Sequence, residues 1–296
     1  MDVSIIIVNY NTKELTRNCI DSIFQYTREV KFEIILVDNA STDGSKEYFA
    51  QDKRLKYIYS LENLGFGRAN NLGYEHAKGK YLFLLNSDTQ LLNNAVDLFY
   101  SIAENEIDKS IGCWGTILQD QLGNKGISYG KFLSIWKDLY IQCFLLPFAY
   151  LTKQSITKLS NMYNYDTSDG IVNYISGADI FLKKSIADRF GLFDPHYFLY
   201  CEETDMQKRY SHYRIYSKIV NLPKIIHFNG GSQTDEPNLK SNLIKLKSKM
   251  YYFKKWNSKI SVLIYLIILS PIRLIIFLLT NAPKEYRKQY FKILWS

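Results

Sequence analysis

Along residues 1–120 two hydrophobic periods alternate. The runs VSIIIVN (3–9), FEIILVD (32–38), LKYIYS (55–60) and KYLFLLN (80–86) are short, apolar and rich in β-branched or aromatic residues, which predicts strands. Helical stretches begin near Thr12, Gly44 and Gly67, and Asn11 followed by Glu14 has capping-box spacing at the first. This repetition predicts a parallel sheet covered on both faces, whose ligands bind outside the carboxyl ends of the strands. The polar residues at those ends are Asn9, Tyr10 and Asn11, then Asp38, Asn39 and Ser41, then Asn63, then Asn86 and Asp88. Within LFLLNSDT (82–89) a core strand delivers Asp88 to its own end. Such a charge needs a partner, hydrogen bonds or a metal, and a cap or turn aspartate is the plainer alternative.

The pattern changes after residue 120. Residues 129–151 are rich in large apolar side chains, with Phe132, Ile135, Trp136, Leu139, Cys143 and Leu146 at helical spacing. Core packing or an interfacial patch near an acceptor site accounts for them. Residues 260–279 approach the length of a membrane span, but Arg273 and Pro271 interrupt them. A charge at the centre of a bilayer costs at least about 2.5–3.5 kcal/mol, so a helix or broken helix pair lying in the interface is expected rather than a span.

Charge supports that reading. The chain carries 37 Lys and Arg against 29 Asp and Glu, and twelve of those bases with one acid lie from Lys240 onward. The body is therefore mildly acidic, at 25 bases to 28 acids, which argues against nucleic acid as a partner. Lys254, Lys255 and Lys259 precede the apolar run and Lys284, Arg287 and Lys288 follow it, a placement suited to anionic lipid. The four dispersed cysteines and the lack of an N-terminal export signal suggest a reducing, cytosolic setting.

No phosphate-binding GxxxxGK[ST], nucleophile elbow or zinc-type cysteine cluster is present. Gly65 and Gly67 do not continue with dinucleotide spacing, which leaves an oxidoreductase a weak alternative. The blocks SIIIVNYN, VDNASTDGS, NLGFGRANNLG, YLFLLNSDT, SGADIFLKKS, GLFDPHYFLYCEETDMQKR and HFNGGS resemble, in order and style, family 2 glycosyltransferases, closest to the bacterial rhamnosyltransferase-like branch. The resemblance covers about residues 3–232. It implies an α/β GT-A fold (a Rossmann-like nucleotide-diphospho-sugar transferase fold), here with a C-terminal membrane-associated helical tail. It further implies a nucleotide-diphosphate sugar such as dTDP-rhamnose or a UDP-hexose, Mg²⁺ or Mn²⁺, inversion at the anomeric carbon, and a surface-glycan acceptor that is polyprenyl-diphosphate-linked or similar.

Carried over by position, NSD (86–88) occupies the family's DxD motif, with Asp88 as metal ligand and Asn86 in place of the first aspartate. His227 matches the late histidine near metal or diphosphate, and Asp38 the aspartate that reads a pyrimidine base. Asn9, Asn11, Asn63 and Arg68 are expected base, ribose or phosphate contacts. Gly177, Ala178 and Asp179 fall in the sugar and acceptor pocket, Asp179 on donor-sugar hydroxyls. Among Glu202, Glu203 and Asp205, the resemblance makes Glu203 the catalytic base, with the other two in contention. The expected domains are a glycosyltransferase domain (1–236) and a tail (237–296) at the cytoplasmic membrane face. The first comprises a nucleotide-binding half (1–120), an insertion (121–170) and an acceptor half (171–236). A non-catalytic nucleotide-sugar-binding scaffold is the alternative.

Overall fold

A computed structural model describes residues 1–145, 170–228 and 239–296. The described residues divide into two compact units, one of residues 1–131 with 170–228, the other of 132–145 with 239–296. Residues 121–131 of the expected insertion group with the first unit and 132–145 with the tail, and Leu146 to Leu151 lie outside the described residues.

The first unit is built on an eight-stranded sheet. Strands β1 (Val3–Asn9), β2 (Phe32–Asp38), β3 (Leu55–Tyr59) and β4 (Tyr81–Asn86) pair in parallel in the order 3-2-1-4, as their runs predict. Helices α1 (Lys13–Tyr26), α2 (Ser45–Phe49) and α3 (Phe66–Tyr74) connect them. Side-chain alternation divides the core: Ile5, Ile7, Phe83 and Leu85 face one layer, with Ile20 and Ile23 of α1, while Ile6, Leu82 and Leu84 face the other, with Ala69 of α3.

Sequence continuity gives no hint of the sheet's second half. Strands β6 (Ile111–Thr116), β8 (Gly170–Val172), β10 (Asp179–Lys183) and β11 (Tyr216–Val220) extend it, and β10 runs antiparallel between β4 and β6. Short strands β7 (Tyr129–Gly130) and β9 (Tyr174–Ile175) pair separately, as do β5 (Thr89–Leu91) and β12 (Ile225–His227). Helix α4 (Ala95–Glu104) precedes β6, and α6 (Lys184–Phe190) and α7 (Glu202–Ser211) lie between β10 and β11.

The second unit holds α5 (Ile135–Tyr140) and the tail helices α8 (Leu239–Trp256), α9 (Lys259–Leu279) and α10 (Lys284–Trp295). Within it Asp138 of α5 accepts hydrogen bonds from Lys249 Nζ of α8 (2.9 and 3.0 Å) and Tyr265 Oη of α9 (2.6 Å). Helix α9 continues through Pro271 as one helix of 21 residues, not a broken pair, and is long and apolar enough to cross a membrane by length and composition.

Candidate functional site

The buried β4 carries the NSD motif to the carboxyl edge and two flanking pairs fix it there. The Asn86 backbone N–H donates to the Ala178 carbonyl (3.0 Å), and Thr89 Oγ1 donates to the Asn86 carbonyl (2.7 Å). Strand β5 then pairs antiparallel with β12, which sets His227 opposite Thr89. The Phe228 N–H donates to the Asp88 carbonyl (2.9 Å). As a result, residues 139 positions apart meet: His227 Nε2 lies 3.2 Å from Asp88 Oδ1 and 3.5 Å from Asn86 Nδ2. Asn86 Oδ1 is buried with no partner among the described residues. A carboxylate, an imidazole and a free amide oxygen make a donor set that suits Mg²⁺ or Mn²⁺. Among the described residues no cluster of three or more His, Cys, Asp or Glu could hold a metal ion.

These three residues line a cleft of about 570 Å³ at the carboxyl ends of the strands, together with Tyr10, Thr12, Asn39, Asn63, Ser87 and the Phe198–Tyr200 segment. That segment was not anticipated as cleft wall. Its place depends on Gly65: with φ of +80°, a Cβ there would stand 2.0 Å from the Phe198 carbonyl oxygen, which accepts from the Phe66 N–H at 2.9 Å. Tyr200 and Cys201 then both adopt left-handed φ, 71° and 70°, immediately before α7. Paired non-glycine residues in that region hold strain of the kind that collects at working sites.

Several expected contacts have other occupations. Asp38 is fully buried: Oδ1 accepts from the Ser41 N–H (2.9 Å) and Oδ2 from Tyr57 Oη (2.8 Å), so it braces the loop beneath the cleft while Asn39 faces in. Asn9 is likewise buried, its Oδ1 accepting from the Thr12 N–H and from the hydroxyls of Thr12 and Thr16. Asn11 has left-handed φ (55°) and accepts from the Thr42 N–H, so the capping box with Glu14 does not form; the Lys13 N–H that opens α1 donates to Asp43 Oδ2 (2.9 Å) instead. Arg68 Nε donates to the Leu64 carbonyl (2.7 Å) rather than lining the cleft. Asn63 lines the cleft, its Oδ1 accepting from Asn39 Nδ2 and the Gly65 N–H.

Asp179 is the plainest correction. It is fully buried in β10, one oxygen accepting from the Thr116 N–H (2.6 Å) and the other without a partner among the described residues. Burial pushes its carboxyl well up, which favours the neutral acid and removes it from any sugar contact at the surface. Ala178 is buried and serves through its carbonyl, and Gly177 packs near the Phe66 ring without lining the cleft.

The acidic start of α7 separates its three carboxyls. Asp205 is fully buried and accepts from Tyr197 Oη (3.2 Å). Glu202 is 3% exposed, packs beside Gly67, and its Oε2 has no partner among the described residues; burial and then the charge of Glu203 push it up to about 8. Glu203 is half-buried and also raised, by desolvation, with Thr204 Oγ1 donating to it (3.2 Å). Of the adjacent pair, Glu203 is the more exposed, and Glu202, raised to about 8, favours its neutral form at neutral pH. None of the three lines the cleft, though α7 begins two residues beyond Tyr200.

Residues 4–147 match the profile of glycosyl transferase family 2. That stretch of the chain belongs to this family. Glycosyltransferase GlyG of Streptococcus pneumoniae serotype 4 is 32% identical over 115 residues, covering 37% of this chain and 38% of the relative. The poly(ribitol-phosphate) beta-glucosyltransferase of Bacillus spizizenii is 32% identical over 119 residues, 38% of this chain and 19% of its own length. This chain spans well under half the length of these curated relatives. Two solved structures share the GT-A fold at low identity. The mannosyltransferase PcManGT of Pyrobaculum calidifontis, in complex with GDP-Man and Mn²⁺, has a TM-score of 0.57 at 14% identity, covering 99% of this chain and 84% of that one. S. aureus TarS 1–349, in complex with UDP-GlcNAc, gives 0.55 at 13%, covering 99% and 79%.

Proposed function

We propose that the chain is an inverting glycosyltransferase that moves a sugar from a nucleotide-diphosphate sugar to a hydroxyl of a cell-surface glycan. The observation that carries this reading is the convergence of Asp88, His227 and the unpartnered carbonyl of Asn86 at one wall of a cleft at the sheet's carboxyl edge. Relatives named for poly(ribitol-phosphate) and teichoic acid synthesis support a cell-wall polymer as acceptor. The basic, apolar tail supports a peripheral place on the membrane, where a lipid-linked acceptor would be met. Neighbours holding GDP-Man and UDP-GlcNAc show that the fold alone does not select the base. With Asp38 buried, Asn39 and Asn63 are the cleft's amides for a uridine or thymidine ring.

Asp88, His227 and Asn86 would hold Mg²⁺ or Mn²⁺ against the donor diphosphate. When bound, such an ion would supply neutralisation of the charge that develops on the departing diphosphate. Asp88 fixes its own carboxylate through the rigid end of β4, and His227 donates or accepts beside it as the leaving group forms. Glu203 removes the proton of the acceptor hydroxyl as that oxygen attacks the anomeric carbon from the face opposite the diphosphate. Glu202, buried and raised to about 8, adds little negative charge beside it.

Thermal shift with uridine- and thymidine-diphosphate sugars, with and without Mn²⁺, tests the reading. Stabilisation by a donor that requires the ion, and that vanishes in Asp88→Asn, is the expected result. A donor response indifferent to both ion and substitution would overturn it.

A further inference from the structure

Helix α9 has two faces within its own unit. Val262, Tyr265, Leu266, Leu269 and Phe277 are buried, whereas Ile260, Ile264, Ile267, Ile268, Ile275 and Leu278 are 39–71% exposed. At 100° per residue these exposed positions form one continuous stripe along a helix about 31 Å long. Arg273, whose charge argued from sequence against a membrane span, lies on the other face: its guanidinium donates to Gln142 Oε1 and sits 5.8 Å from the centre of the Tyr290 ring. The stripe is thereby free of charge.

Beside this stripe opens a groove of about 390 Å³. Its walls are Val262, Leu263 and Leu266 of α9 and Trp295 of α10, and Lys254 and Lys259 stand at it from the end of α8 and the start of α9. No acid lines it. Leu263, one turn before Ile267, belongs to both groove and stripe. The half-exposed Trp295 donates from Nε1 to Ser270 Oγ (3.0 Å), the orientation of an indole with one wet and one apolar side.

Two ammonium groups beside an apolar trough complement a molecule with an anionic head and a hydrocarbon tail. We propose that this groove seats an anionic phospholipid, its phosphate between Lys254 and Lys259 and an acyl chain along Leu263 and Leu266, while the stripe lies in the same leaflet. This rests on the reading of the tail as a membrane-surface element and adds a discrete lipid site to it.

Flotation of the full-length protein with vesicles of phosphatidylcholine, alone or mixed with phosphatidylglycerol, tests the proposal. Wild type should favour the anionic vesicles. Lys254→Gln with Lys259→Gln should cut that preference about tenfold or more, while Lys284→Gln with Lys288→Gln, which removes the same charge elsewhere on the tail, should cut it severalfold less. Ile267→Glu with Ile275→Glu should abolish binding to both vesicles. All these positions are exposed, and unchanged melting temperatures would exclude misfolding. Equal losses from the two lysine pairs would mean diffuse attraction and overturn the groove. A wild-type protein that binds neither vesicle would overturn the membrane reading itself, as would a stripe that, instead of binding lipid, mediates dimers dispersed by Ile267→Glu.

Discussion

At the scale of single residues, charge in the cleft concentrates on Asp88, because Asn86 brings an oxygen without one. Asp88→Asn should therefore remove nearly all turnover with the melting temperature little changed, since loss of a metal-holding carboxylate removes several kcal/mol of leaving-group stabilisation. Wild-type-like rates in steady-state assays would sink the assignment. His227→Ala should weaken the ion's effect on donor binding less severely, and an unchanged metal titration would make the imidazole structural. Glu203→Gln keeps shape and removes the proton acceptor, so kcat should fall roughly 10²–10⁴-fold with donor affinity preserved. The elevated Glu202 has a consequence for stability. A carboxyl raised to about 8 in the folded chain is protonated there while its unfolded counterpart is ionised, so stability is greatest below the ordinary glutamate range and falls as pH rises towards about 8. Melting curves should accordingly show Glu202→Gln gaining on wild type from pH 5 to pH 8; parallel curves would contradict the burial of an acid there.

At the scale of elements, the early strands were legible because each is apolar enough to declare itself, and period-two alternation placed Ile5 and Ile6 in opposite layers. What escaped was everything assembled at a distance. Nothing local in SGADIFLKKS says that β10 enters the sheet antiparallel between β4 and β6, and this burial converts Asp179 from a surface contact into a core acid. Asn9, Asn11 and Asp38 sit where strand-end logic put them, yet their side chains brace the loops, since closely packed turns consume hydrogen-bonding groups before a ligand arrives. His227 reached Asp88 only through the pairing of β5 with β12, two three-residue strands too short to carry a pattern. Gly65 can be tested at this scale. Gly65→Ala meets both a left-handed φ and the Phe198 carbonyl, and should cost about 1–3 kcal/mol in urea unfolding while loosening the Phe198–Tyr200 wall.

At the scale of the whole molecule, the chain divides otherwise than along its sequence. Residues 132–145 share a unit with the tail, tied by the Asp138 hydrogen bonds to Lys249 and Tyr265. Cutting the chain near Pro237 would strip Ile135 and Leu139 of their partners as well as removing the basic helices, so a truncation confounds folding with membrane binding. Point substitutions separate them. Asp138→Ala should lower stability by about 1–3 kcal/mol by leaving Lys249 and Tyr265 without their acceptor, and an unchanged denaturation midpoint would show the link to be idle.

The central claim is that the cleft binds a nucleotide sugar through Asp88 and that Glu203, three residues beyond Tyr200 of its wall, is the base that turns it over. The most direct test measures nucleoside diphosphate released from the stabilising donor in the presence of Mn²⁺ and cell-envelope membranes. It compares wild type, Asp88→Asn and Glu203→Gln, with donor affinity measured on the same samples. The account predicts release by wild type alone, with affinity lost in Asp88→Asn and retained in Glu203→Gln. Equal release from all three proteins, or none from a wild type that binds donor under every acceptor condition, would contradict it.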